Sequence, residues 1–151
     1  LDARALDFFV KMGKHADAGV LKQEVENYLY RYRYLPGFGR PVTNVDERIG
    51  PLRRALDKTG LDQGKHVLLV QDIEGILRTK GFKLSANFGA MTAAIAADMS
   101  LTGQQYQLFA FLAFIGGMAP CFVDHSAKPE GALFPLRCDA VLNNDVAQKT
   151  W

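Results

Sequence analysis

Apolar residues recur at three- and four-residue steps through most of the chain, the spacing of helices that each bury one face. Leu6, Phe9, Val10 and Met12 form a partial first stripe, which the pattern ends near Gly13. Val20, Leu21, Val25, Tyr28, Leu29 and Tyr32 predict an amphipathic helix over 18–33. After a Gly/Pro turn, residues 46–59 read as a helix with Pro51 confined to its first turn and Gly60 at its end. Val67-Leu68-Leu69-Val70 alone fits a strand or a buried helix; Ile73, Ile76 and Leu77 continue the helical spacing, and Gly81 closes it. Alanine-rich Met91 to Met99 predicts a helix packed close to its neighbours, and a longer helix is predicted from Gln104 to about Asp124. Pro129, Gly131 and Pro135 predict a largely irregular tail. The expected class is all-α.

Bulk properties narrow the partners. The chain has 151 residues, the size of one domain, with 48% hydrophobic and 23% charged residues, ordinary for a folded globular protein. A net charge of +2 on scattered Lys and Arg residues gives no nucleic-acid footprint. The run Tyr28-Leu29-Tyr30-Arg31-Tyr32-Arg33-Tyr34 reads as a helix end that packs Tyr28 and Tyr32 inward and lets its arginines snorkel. Met99 to Val123 carries no formal charge, but three glutamines crowd its start, and Gly116, Gly117 and Pro120 interrupt its second half. That pattern predicts a buried or dimer-facing helix rather than a membrane span, with self-association as the consequence. Cys121 and Cys138 lack metal-ligand spacing and read as reduced thiols, with a disulfide between them left open. His15, His66 and His125 show no ligand pairing; His66 reads as a surface or structural histidine, and Asp72 and Glu74 as a solvated face. No signal-peptide pattern is present, so the cytoplasm is the default expectation. The opening Leu1-Asp2-Ala3-Arg4-Ala5-Leu6 is already helical in pattern, which reads as part of a longer protein.

The chemistry concentrates in Leu35-Pro36-Gly37-Phe38-Gly39-Arg40-Pro41-Val42 and the Asp46-Glu47-Arg48 triplet that follows. Two glycines one residue apart let backbone approach a ligand, and the prolines stiffen the turn. Asp46 and Glu47 suit the positive end of the next helix, and an arginine fixed there grips carboxylate or phosphate through paired hydrogen bonds. An exposed turn over 37–41 against the start of that helix is the structural expectation.

This stretch resembles the citrate synthase superfamily, including ATP-citrate lyase and citryl-CoA lyase, where a G-F/Y-G-H-x-V turn precedes a D-P-R or D-x-R triplet. Gly37-Phe38-Gly39 and Asp46 with Arg48 match; Arg40 stands where the family has its histidine. Leu84 to Ala90 is similar to the P-N-V-D or L-N-V-D-G signature, with Asn87 at the place of the catalytic aspartate. Met118 to His125 resembles A-R-x-x-G-W/F-I-A/G-H with Met118 at the arginine, and Arg137 lies close to the place of the last family arginine. The resemblance implies a helical small domain over about 14–103 with a returning C-terminal helix and tail over about 104–151. It implies condensation of acetyl-CoA with a 2-oxo dicarboxylate, or a citryl-CoA lyase reaction, in a homodimer. Arg40 and Asn87 would be the catalytic positions, Arg48 and Arg137 the substrate-binding ones, and Gly37, Gly39, Lys80 and Lys83 the contacts to CoA. An amide holds no proton acceptor near neutral pH, so Asn87 makes an inactive isolated chain the expectation. The alternative from another class is a non-catalytic helical module for CoA binding or dimerisation.

Overall fold

The computed structural model describes residues 3–40 and 46–128, and their regular structure is helical. In order they form α1 (Ala3–Asp17), α2 (Leu21–Tyr32), α3 (Ile49–Thr59), α4 (Lys65–Thr79), α5 (Phe88–Asp98) and α6 (Gly103–Ser126). The extended pairing among the described residues is a single antiparallel bridge between Phe38 and Ala86. The chain divides into two compact units, 1–110 and 111–151.

In the first unit α5 is the central element, packed against α1 and α4, while α2 lies on α1 and α4. Small side chains allow this: Ala90, Ala93 and Ala94 are fully buried, and Ala96 and Ala97 nearly so, so α5 meets both neighbours at short range. Phe9, Met12, Ile73, Leu77, Met91 and Tyr106 fill the core, and the Tyr106 hydroxyl lies 3.1 Å from Thr92 Oγ1.

Two boundaries differ from the periodicity for identifiable reasons. α1 runs through Gly13 to Asp17 because the missing side chain there makes room for the His66 ring; a Cβ at residue 13 would lie 2.5 Å from His66 Nε2. α5 begins at Phe88 because Asn87 caps it, its Oδ1 accepting from the N–H groups of Gly89 and Ala90. α3 begins at Ile49, which leaves Pro51 in the first turn as expected, and Gly60 ends it in the left-handed conformation.

In the second unit α6 continues unbroken from Phe111 to Ser126, so Gly116, Gly117 and Pro120 do not interrupt it. Gly116 is the residue whose carbonyl the Pro120 ring crowds, and it brings no side chain of its own to that turn. Most of the helix's large apolar side chains are exposed, and Cys121 is an exposed free thiol. The tail from Pro129 onward, with Cys138 and Arg137, lies outside the described residues.

Candidate functional site

The Gly-Phe-Gly turn sits on the N-terminus of α5 rather than standing exposed beside α3. Leu35 and Pro36 are buried, and Phe38 stacks on Phe9 at 6.2 Å between ring centroids. Gly37 and Gly39 both have φ of +84°, which an L side chain rarely adopts, and a Cβ on Gly37 would press on the backbone of Ala90. Three hydrogen bonds join the turn to the segment before α5. Gly39 N–H donates to the Ser85 carbonyl at 2.8 Å, Asn87 N–H to Gly37 at 2.8 Å, and Asn87 Nδ2 to Gly39 at 2.9 Å. The local sequence gave no sign of this, because the partners lie about 50 residues away. Pro41 is outside the described residues.

Asp46 is the charged residue buried at this junction, 2% exposed. Its carboxylate accepts from Arg48 Nε at 2.9 Å, Arg48 Nη2 at 2.8 Å, the Arg48 backbone N–H at 3.1 Å and the Phe88 backbone N–H at 2.8 Å. Four donors match the four lone-pair positions of a carboxylate. The Arg48 hydrogen bonds, ahead of the opposing cost of burial, hold Asp46 well below the usual carboxylate range and raise Arg48 in return. Asp46 therefore fixes the triplet and holds no lone pair open for a substrate proton.

Arg48 is locked on one side and open on the other. Its Nε–Nη2 edge grips Asp46, its guanidinium lies 4.9 Å from the Phe88 ring centroid, and its side chain is 52% exposed. The guanidinium's other edge, Nη1 with the second hydrogen of Nη2, has no hydrogen-bond partner among the described residues and keeps the geometry to receive a second carboxylate. Arg40 is engaged: Nη1 donates to Glu47 and lies 3.6 Å from Asp46 Oδ1.

The structure thus brings together Gly37, Gly39, Arg40, Arg48 and Asn87 from the sequence-derived set. Asn87 uses its amide hydrogen on Gly39 and its carbonyl on α5. The two lysines are not gathered. Lys80 pairs with Glu26 at 3.0 Å in a cleft of about 560 Å³ with Tyr30, Arg33 and Phe82, while Lys83 lines a different cleft with Arg78 and Ser85. Met118 lies exposed on α6 in the second unit, and Arg137 lies outside the described residues.

Sequence reasoning missed the roles of Glu74 and of Asp98, the partner of His66, which reads from the sequence as a surface or structural histidine. Glu74 is not on a freely solvated face: its Oε1 accepts the Ala86 N–H at 2.8 Å and so holds the segment entering α5. His66 is paired with Asp98, whose Oδ1 lies 2.8 Å from His66 Nδ1. The Tyr/Arg run packs through Tyr28, which meets Phe8, Tyr32 and Tyr34 edge-on or tilted, whereas Tyr30 is 85% exposed. No group of three or more potential metal ligands occurs among the described residues. Comparisons with protein-family models, with curated proteins and with solved structures give no match to this chain.

Proposed function

We propose that this chain is a citrate-synthase-like helical module, an acyltransferase or lyase by ancestry, that binds a carboxylate and does not carry out condensation by itself. The observation that carries the reading is the division of labour around Asp46. The buried carboxylate orients one edge of Arg48 and leaves the other edge facing outward, a preorganised clamp for a carboxylate of a small dicarboxylate.

The same geometry argues against proton abstraction. Removing hydrogen from a thioester methyl needs a base in reach, and loss of such a base commonly costs factors of about 10²–10⁴. Asn87 is a helix cap, Asp46 is saturated with donors, and Glu47 is bonded to Arg40. Arg40 and the arginine clamp can hold negative charge but cannot accept a proton at neutral pH.

Calorimetry with citrate or oxaloacetate tests the clamp. The expected result is binding that weakens about tenfold or more in Arg48→Lys, which keeps the charge but loses the fork. Citrate formation from oxaloacetate and acetyl-CoA by this chain would reject the non-condensing reading, and absence of dicarboxylate binding would reject the clamp.

A further inference from the structure

Arg48 does not meet Asp46 alone. Arg40 Nη1 lies 3.6 Å from Asp46 Oδ1, the same oxygen that Arg48 Nε reaches at 2.9 Å, so two guanidiniums converge on one buried carboxylate. They come from different elements. Arg40 follows the Gly-Phe-Gly turn, which Asn87 pins to the start of α5, and Arg48 is the residue just before α3. One negative charge does not neutralise two positive ones, and the balance is supplied by Glu47, whose carboxylate accepts from Arg40 Nη1.

The two carboxylates are held very differently. The Asp46 side chain is fully buried and bonded to four donors, whereas that of Glu47 is 71% exposed and meets Arg40 as its side-chain partner among the described residues. An exposed ion pair contributes little, because each charge is nearly as well solvated apart as together. Glu47 can therefore leave easily, and Asp46 cannot. Glu47 also acts on Arg48: the hydrogen bonds to Asp46 raise that guanidinium first, burial opposes them, and the charges of Asp46 and then Glu47 add to the rise. The Glu47 carboxylate thus sits in the field of both arginines, as a bound anion would.

The adjoining helix start has no donor to spare for an anion. Phe88 N–H donates to Asp46, and the N–H groups of Gly89 and Ala90 donate to Asn87 Oδ1. An anion arriving at this junction is left with the outward edge of Arg48 and with Arg40.

We propose that Glu47 is a built-in competitor at this site: a short dicarboxylate places one carboxylate on the outward edge of Arg48 and the other on Arg40, displacing Glu47 into solvent. The inference rests on the carboxylate clamp proposed above and adds to it a second binding residue, Arg40, and a reason for selecting two anionic groups over one. With Glu47 in place the four charges cancel, and a single carboxylate gains only the free edge of Arg48. A second carboxylate on the same ligand replaces Glu47 one for one, and its tether to the first gives it a high local concentration at Arg40. Because both arginines reach the same Asp46 oxygen, the ligand that spans them is short.

The test is calorimetry on the full chain with succinate and with propionate, which is succinate lacking one carboxylate. Glu47→Gln is expected to tighten succinate about fivefold by removing the competitor, and to tighten propionate by less. Arg40→Gln is expected to weaken succinate toward the level of propionate, and to abolish the gain from Glu47→Gln when the two are combined. Unchanged succinate affinity in Glu47→Gln would overturn the proposal. So would equal gains for the two ligands, or a gain that survives in the double variant, since either would mean that Glu47→Gln acts only by removing negative charge. Succinate binding weakened in Arg48→Lys yet indifferent to Glu47→Gln and Arg40→Gln would overturn this inference and leave the clamp standing. No binding by the unaltered chain or by Glu47→Gln would reject the clamp itself, and this inference with it. The Glu47 side chain is exposed, so the comparison of succinate with propionate in Glu47→Gln decides the matter even where Arg40→Gln does not fold.

Discussion

Asp46 shows how one side chain decides the character of the site. Buried and bonded to four donors, it ties the triplet before α3 to the first residue of α5. The consequence for pH has a definite sign. A carboxylate depressed in the folded state stabilises the fold above its ordinary value of 3.8 and loses that contribution as pH falls from there toward the much lower folded value. Asp46→Asn is expected to lower stability by about 1–3 kcal/mol at neutral pH, since the amide leaves an N–H donor facing Arg48 or Phe88. It is also expected to flatten the stability loss between about pH 4 and pH 2. Urea denaturation at a series of pH values measures both, and equal acid sensitivity in the two proteins would mean that another carboxylate governs the transition.

At the scale of helices, most of what the structure contains was legible as spacing. Ile73, Ile76 and Leu77 turned an ambiguous apolar run into α4, and Gly60 marked the end of α3 with its left-handed backbone. What escaped was set by distant partners. The cap of α4 comes from Asp98, 32 residues on, and no local pattern announces it. The burial of the Gly-Phe-Gly turn depends on Asn87 and Ala90, and the resemblance that singled out Arg48 and Asn87 carried no information about which of their atoms are already bonded. The alanine face of α5 was legible and has a cost if filled. Ala94 is fully buried where α5 packs on its neighbours, so Ala94→Leu forces three extra carbons into a closed interface. A loss of about 1–3 kcal/mol in the urea-derived stability is expected, and a neutral result would reveal unfilled space beside α5.

For the molecule as a whole, α6 is the element that the first unit does not absorb. Its opening turns are anchored, with Tyr106 1% and Ala110 4% exposed, but Phe111, Phe114, Met118 and Phe122 are 60–74% exposed. By length and mean hydropathy, 1.7 over its most apolar window, the 24-residue helix could cross a membrane. Its anchored start shortens the usable part: Phe111 to Val123 reaches about 20 Å, against about 30 Å of hydrocarbon. A protein partner fits that length better, and a second copy of the chain is the occupant we expect. Among the described residues a Cβ on Gly116 or Gly117 would meet nothing within 4 Å, so Gly117, which Pro120 does not crowd, has no packing reason there to be a helix-interior glycine. A second α6 approaching closely along Ala113 and Gly117 would cover them and the phenylalanines beside them. Sedimentation equilibrium is expected to show association that strengthens with concentration, weakened at least about tenfold by Gly117→Leu or Phe114→Glu. Both positions lie outside the 1–110 unit, so the variants are expected to keep its helical signal and its urea midpoint. A monomer persisting at high concentration, or association indifferent to both substitutions, would place the contact elsewhere.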